Sequence, residues 1–350
     1  MKVAIDSGPL TGGDSVRGVG VYTQNLVKEL VKLRDIKVDL VDFRIADFEN
    51  YDVIHYPYFK LFFTKLPIIK SSKVVVTIHD LIPLIYPKHY PPGIKGTFKL
   101  GFQKLMLKNV DTVITVSETS KKDIVRFLDI PEENIKVIYE APREIFNKVI
   151  DKTILEKVRQ KYQLPEKFVL YVGDVNYNKN LSTLAEACVG IKMSLVIVGK
   201  QARSKKINLN HIENRSFKLF LDKYGENKLI YRLGFVDDDD LVKLYGLASV
   251  YCQPSFYEGF GLPVLEAMAC GTPVVISKTQ ALVEIAGNAA LIADPKNPDD
   301  LGIKIQKIMN KKSISAELVE QGIEHIQGFS WKKCADETLE VYRHVVNSRK

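Results

Sequence analysis

The sequence predicts an α/β protein made of two doubly wound parallel-sheet domains. Three observations carry this. Candidate strands and helices alternate along the chain, the strands are short continuous apolar runs, and glycine or polar clusters recur directly after strands. Continuous apolar runs are how strands read when helices cover both faces of a parallel sheet. Strand–helix alternation selects the same architecture. A length of 350 residues suits two domains.

In the first half, strands are predicted at Val3–Asp6, Val38–Phe43, Val53–Tyr56, Lys73–Ile78, Thr112–Val116 and Lys136–Ile138. In the second half they are Phe168–Val172, Leu195–Val198, Leu229–Leu233, Ala248–Cys252, Pro273–Ile276 and Ala290–Ile292. Helical segments lie between them. In Val21–Leu33, for example, Tyr22, Leu26, Leu30 and Leu33 share one stripe, with Lys28 and Lys32 opposite. A charged helix ends at Gln163-Leu164-Pro165, which places the domain join near Ile150–Pro165. The expected domains are 1–160 and 161–328, followed by a helical tail over 329–350 with Trp331 and Val341 at helical spacing. Lys200–Asn214 is polar and lysine-rich and reads as a surface loop or helix start.

Composition narrows the classes. Hydrophobic residues make up 46% of the chain, ordinary for a globular protein. Met1-Lys2 runs straight into Val3-Ala4-Ile5, so no signal-peptide apolar region is expected. No apolar run approaches the length of a membrane span. Cys188, Cys252, Cys270 and Cys334 lie far apart among apolar neighbours, which reads as four buried free thiols. These features fit a cytoplasmic protein, peripheral on a membrane face at most.

The net charge of +8 is local. From Val53 to Val110 there are nine lysines and a single acid, Asp80, so that stretch holds the whole excess. Tyr56–Lys73 mixes lysines with Tyr58, Phe59, Phe62, Phe63 and Leu66, and reads as a contact with an anionic membrane. Gly93–Leu107 reads equally as such a contact or as a core helix with solvated lysines. The expected membrane-facing region is therefore Tyr56–Leu107. It holds no arginine and matches no nucleic-acid-binding module, so no nucleic-acid partner is expected.

The most informative stretch is Ser255–Val275, where Glu258 and Glu266 are separated by seven residues. Gly259 and Gly261 let backbone amides approach a ligand closely. Leu262-Pro263-Val264 then opens a helix, whose free N–H groups suit a phosphate. A phosphate seat flanked by two hydroxyl-binding carboxylates is what a nucleotide sugar needs. Gly173, Gly199 and Gly234 each follow a candidate strand, where parallel sheets bind ligands. Lys179, in Tyr171-Val-Gly-Asp-Val-Asn-Tyr-Asn-Lys-Asn-Leu181, offers a point charge for a diphosphate. His79 follows Lys73–Ile78 and can reach a sugar hydroxyl or a departing phosphate.

Other signals are weaker. Arg17-Gly18-Val-Gly20 is half of a dinucleotide fingerprint, with Thr23 where its third glycine belongs. Gly12-Gly13 before it suggests a mobile turn. Asp237–Asp240 can be read as an Asp-x-Asp metal site, but these acids precede a candidate helix and read better as its cap. No other cluster has metal spacing, so no metal is expected.

These residues resemble the retaining glycosyltransferases of family 4, with their two-domain GT-B architecture. The resemblance rests on Ser255–Val275, Tyr171–Leu181, Leu233-Gly-Phe-Val-Asp237, Val116-Ser-Glu-Thr-Ser120 and Ile78-His-Asp-Leu-Ile-Pro83. Thr77-Ile-His-Asp-Leu-Ile-Pro-Leu84 looks most like the mannosyltransferase branch of polysaccharide and O-antigen assembly.

The resemblance implies a role for each position. Glu258 contacts hydroxyls of the transferred sugar beside the amides of Gly259, Phe260, Gly261 and Leu262. Glu266 binds the ribose, Lys179 neutralises the diphosphate, and His79 lies near the reacting centre. Gly173 and Gly234 belong to the donor seat. The Gly18–Gly20 loop faces the diphosphate across a cleft, and the C-terminal helix crosses back to the first domain. The family often carries an arginine after the glycine at 173, where this chain has Asp174. Lys200 or Arg203 is then expected to substitute, or amides carry more of the charge.

The implied reaction moves a hexose, mannose above all, from a nucleoside diphosphate sugar such as GDP-mannose to a hydroxyl of a glycan or lipid-linked acceptor. It runs with retention and without metal or other cofactor. A sugar-nucleotide epimerase of similar fold and a catalytically silent scaffold subunit are the alternatives.

Overall fold

The computed structural model describes residues 1–11, 18–45, 47–63, 66, 72–204 and 207–348. Gly12-Gly13, Arg17, Lys65 and Lys70, all singled out from the sequence, lie outside them. The chain forms two compact units, Met1–Ala141 with Phe329–Lys350, and Pro142–Gly328.

The first unit contains β1 (Lys2–Asp6), α1 (Gly18–Leu30), β2 (Lys37–Val41), β3 (Val53–Tyr56), β4 (Lys73–Ile78), α2 (Ile82–Ile85), α3 (Gly93–Leu107), β5 (Thr112–Thr115), α4 (Glu118–Leu128) and β6 (Ile135–Val137). Its six strands are parallel, in the order β2-β1-β3-β4-β5-β6. Side chains alternate between two cores, as a two-fold strand period requires. Val53 and Val75 join Val3, Ile5, Tyr22, Leu26 and Leu30 on one face, while Ile54, Val74, Val76 and Ile78 join Ile124 and Leu128 on the other.

The second unit contains α5 (Lys152–Lys161), β7 (Phe168–Val172), α6 (Leu181–Gly190), β8 (Ser194–Val198), α7 (Arg215–Tyr224), β9 (Ile230–Gly234), α8 (Asp238–Leu247), β10 (Val250–Gln253), α9 (Leu262–Ala269), β11 (Val274–Ser277), α10 (Gln280–Ala286), β12 (Ala290–Ala293), α11 (Pro298–Asn310) and α12 (Lys312–His325). Its parallel sheet runs β12-β11-β10-β7-β8-β9. The chain builds outward from β7 through β8 to β9. It then returns to the other side of β7 with β10 and builds outward again. The loops after β7 and β10 therefore leave the same end of the sheet from adjacent strands, which is a topological switch point.

All twelve strands form where the apolar runs predict them, with ends moved by one or two residues. Three features differ from the sequence reading. First, the boundary between the units lies at Ala141/Pro142 rather than at 160, because α5 packs against α8. Second, α1 begins at Gly18, so Gly18–Gly20 is the first turn of a helix and not a loop. Third, among the described residues of Tyr56–Lys73, Tyr56, Phe59, Leu61 and Leu66 are buried in the core while Phe63 is exposed.

The last helix, α13 (Trp331–Asn347), is capped by Ser330, whose side chain accepts from the Lys333 amide. It packs on α1 in the first unit. There Tyr342 Oη lies 2.6 Å from His55 Nδ1, and His55 Nε2 lies 2.8 Å from Thr77 Oγ1. Thr77 Oγ1 also meets Tyr22 Oη at 3.1 Å. These groups are fully or almost fully buried, so each depends on its neighbours for hydrogen bonds. Burial, helped by nearby His79, pushes His55 down to about 3 and keeps it neutral. All four cysteines are free and buried.

Replacing Thr77 with valine keeps the shape but removes the shared hydroxyl from His55 and Tyr22. The expected cost is about 1–3 kcal/mol, measured as a lower urea midpoint with an unchanged slope.

Candidate active site

Two loops at the switch point are joined by asparagines. The loop after β7 makes a single 3-10 turn at Tyr177–Lys179 and then places Asn180 in the left-handed region (φ 54°). Asn180 Nδ2 donates to Pro254 O at 2.9 Å and to Pro295 O at 2.7 Å. Asn178 Nδ2 donates to Tyr257 O at 3.0 Å, and the Phe256 amide donates to Asn178 O at 2.7 Å. The rings of Tyr177 and Phe256 also pack, with centroids 5.3 Å apart. Lys179, held between two anchored asparagines, is thereby aimed at the loop after β10.

Lys179 Nζ donates to both carboxylate oxygens of Glu258, each at 2.8 Å. Glu258 Oε1 also accepts from Ser255 Oγ at 2.6 Å and from Gln253 Nε2 at 2.7 Å. Gln253 in turn accepts from Tyr251 Oη. The Glu258 side chain is almost entirely buried and Lys179 mostly so. A carboxylate this buried needs such a cation and such donors.

Glu258 is followed by Gly259 and buried Phe260, and then by Gly261 at φ 113°, the N-cap of α9. A side chain at Gly261 would be strained in that conformation, and its Cβ would approach Leu282 Cδ2 to 2.6 Å. With no side-chain cap at Gly261 and Pro263 in the first turn, Leu262 opens a helix whose end is served by no capping side chain.

Glu266, one turn into α9, is also buried. Tyr245 Oη donates to its Oε2 at 3.2 Å, and Arg143 Nη2 lies 3.6 Å from its Oε1. Arg143 is mostly committed elsewhere: its guanidinium binds Asp238 in a bidentate pair at 2.6 and 2.9 Å. Burial therefore outweighs the arginine and pushes Glu266 up to about 7. The ring of Tyr245 packs on Tyr251 with centroids 5.5 Å apart, so a continuous chain of contacts links Glu266 to Glu258.

The remaining predicted residues fall as follows. Gly173 and Gly199 extend the sheet ladder by one step, donating to Val198 O and Gly234 O at 2.9 Å each. A Cβ at Gly199 would sit 2.0 Å from Gly173 O, so only glycine fits there. The Asp174 carbonyl accepts from Tyr171 Oη at 2.6 Å. Lys200 and Arg203 are exposed in the loop after β8. Arg203 lines a cavity of about 340 Å³ with Ser204, Phe217 and Arg232, and neither Lys179, Glu258 nor Glu266 borders it. Asp237 caps α8 by accepting from the Asp240 amide, the role expected for that acidic run.

In the first unit, His79 is partly buried after β4, with Nδ1 3.1 Å from Glu140 Oε1 and Nε2 3.0 Å from Pro57 O. Burial pulls its pKa down, but the Glu140 carboxylate, the Pro57 carbonyl and Asp80 outweigh that and raise it. Both nitrogens face acceptors, so the imidazolium is favoured. The edge of Tyr22 packs on the ring at 4.7 Å. The sequence reading let His79 reach a sugar hydroxyl or a departing phosphate; in the structure its two ring nitrogens meet Glu140 and Pro57.

Several contributors escaped the sequence reading. Asn178 and Asn180 flank Lys179 and carried a usable signal, since asparagine tolerates the left-handed region. Gln253 and Ser255 lie within five residues of Glu258 and were readable as its donors. Arg143, 95 residues from Asp238 in sequence, gave no local signal.

Replacing Lys179 or Glu258 singly by methionine removes the opposite charge from a buried ion, whereas replacing both removes the pair. A double-mutant cycle read by thermal denaturation is expected to give a coupling on the order of 1–3 kcal/mol.

Comparison with known proteins gives the same outline. Residues 155–325 match the model of glycosyl transferases group 1, and residues 43–141 match that of glycosyltransferase family 4. The chain is 30% identical over 283 residues to O-antigen chain mannosyltransferase B of Escherichia coli, covering 78% of this chain and 71% of the relative. It is 28% identical over 283 residues to the serotype-specific mannosyltransferase WbdA of Escherichia coli, covering 79% of this chain but only 34% of that longer protein. Among solved structures, Anabaena HepE in complex with UDP-glucose superposes with a TM-score of 0.75 at 17% identity, covering 98% of this chain and 100% of that one. Two six-stranded parallel sheets flanked by helices, with these matches, make the fold GT-B, and the chain belongs to the family 4, group 1 glycosyltransferases, as a hexosyltransferase.

Proposed function

We propose that the chain transfers mannose, with retention, from GDP-mannose to a hydroxyl of a glycan or lipid-linked acceptor presented at the cytoplasmic face of an anionic membrane. The observation that carries this reading is the Lys179–Glu258 pair at the switch point, one loop away from an uncapped helix start. The mannosyltransferase names of the relatives support mannose, and the UDP-glucose held by HepE supports a nucleotide sugar as donor. The four buried free thiols suit a reducing compartment.

In this reading the donor diphosphate competes with Glu258 for Lys179. The lysine turns toward the phosphates, where negative charge builds as the nucleotide leaves, and the amides at the start of α9 share that charge. Glu258, kept in place by Ser255 and Gln253, then accepts hydrogen bonds from the sugar hydroxyls. Glu266 accepts from the ribose, positioned by Tyr245 and Arg143. Protein cations and amides supply the charge that a metal supplies elsewhere, so the reaction needs none. The departing phosphate assists attack from its own face, which retains the anomeric configuration.

The test is incubation with GDP-mannose, UDP-glucose and UDP-N-acetylglucosamine. Consumption of GDP-mannose alone, with the product anomer assigned by NMR as retained, is expected; no turnover with any donor refutes the proposal. Glu258→Gln is expected to keep GDP affinity by calorimetry and to lose about 100-fold or more in turnover. Nucleotide affinity is expected to rise as pH increases through about 7, where Glu266 ionises. Arg143 lowers that pKa, so in Arg143→Gln this limb moves to higher pH; an unmoved limb removes Arg143 from the role.

A further inference from the structure

We infer that the outer face of α3 is a docking surface for anionic phospholipid. This rests on the membrane-side acceptor proposed above but not on the identity of the donor. The sequence reading favoured Tyr56–Lys73 for this contact, yet Tyr56, Phe59, Leu61 and Leu66 of that stretch pack inward. The exposed apolar surface belongs to the neighbouring helix.

On α3, Gly96, Gln103 and Leu107 are buried. Gln103 Nε2 donates to Lys60 O at 2.6 Å, which fixes the inner face of the helix. The opposite face carries Ile94 (80% exposed), Phe98 (77%), Phe102 (39%) and Leu105 (56%). At 3.6 residues per turn these four positions form one continuous stripe. A water-facing stripe is normally polar, and an apolar run of this kind marks a contact. Phe63, 58% exposed, extends the apolar surface, with Lys99 Nζ 5.4 Å from its ring centroid.

The charges select the occupant. On the same helical wheel, Lys95 and Lys99 border one side of the stripe, and Lys104 and Lys108 border the other. No acid occurs from Gly93 to Lys108, and Asp129 lies 3.4 Å from Lys104. A second copy docked symmetrically would oppose lysine to lysine. A nucleic acid would meet four apolar side chains at the centre of its contact. Lipid headgroups neutralise the lysines while the acyl boundary takes the apolar stripe, and lysine stems reach from one region to the other.

The experiment is flotation of the full chain with vesicles of phosphatidylcholine alone or mixed with phosphatidylglycerol. Wild type is expected to float with the mixed vesicles and at least about tenfold less with the neutral ones. Phe98→Ser/Leu105→Ser and, separately, Lys95→Glu/Lys99→Glu are each expected to lose about tenfold in partitioning. Hydrolysis of the donor in solution is expected to stay unchanged in both variants, so failure of the docking surface and failure of the proposed reaction register in separate assays. Phe98→Trp is expected to shift its emission to the blue on the mixed vesicles. Equal partitioning of the serine variant, equal binding to both vesicle types, or a dimer in sedimentation velocity that the serine variant abolishes would overturn the inference.

Discussion

The order in which parallel strands are laid down governs everything else in the second unit. Because β10 returns to the side of β7 opposite β8, two loops separated by more than seventy residues leave the sheet side by side. Backbone pairing alone would leave those loops free to drift. Asn178 and Asn180 remove that freedom by donating to the carbonyls of Tyr257, Pro254 and Pro295. The position of Lys179 is then a consequence of geometry already fixed, and its meeting with Glu258 requires no further adjustment.

That meeting sets the electrostatic character of the site. Glu258 is buried beside a cation and two neutral donors, whereas Glu266 is buried beside an arginine largely spent on Asp238. Two glutamates eight positions apart thus receive different surroundings, and at Glu266 burial pushes the carboxyl up. The first unit repeats the theme with histidines. His55, buried among hydroxyls, is held neutral, whereas a carboxylate and a carbonyl raise His79 against the opposing effect of burial.

The strands could be read from the sequence because each is a short apolar run, and burial on both faces imposes that pattern residue by residue. The turn glycines were readable for a related reason: local backbone geometry restricts which residues fit. Gly261 at φ 113° is such a case. Arg143, Glu140 and Tyr342 were not readable, since each reaches its partner from far along the chain and its own neighbourhood is unremarkable. Around Phe59, composition does not say which way a side chain points: Phe59, Leu61 and Leu66 turn inward, whereas Phe63 faces out. The helix Gly93–Leu107 stayed ambiguous until its buried face was known, and the side that remained was apolar.

The bond between Tyr342 and His55 joins positions 287 residues apart within one sheet-and-helix unit. During synthesis, the six strands of that unit leave the ribosome long before the helix that completes their core. Tyr22, Leu26 and Leu30 must wait, partly uncovered, while the whole of Pro142–Gly328 is made. The second unit is contiguous and can finish folding first. The lobe begun earliest is therefore completed last, and its apolar face is open to misassembly for that interval.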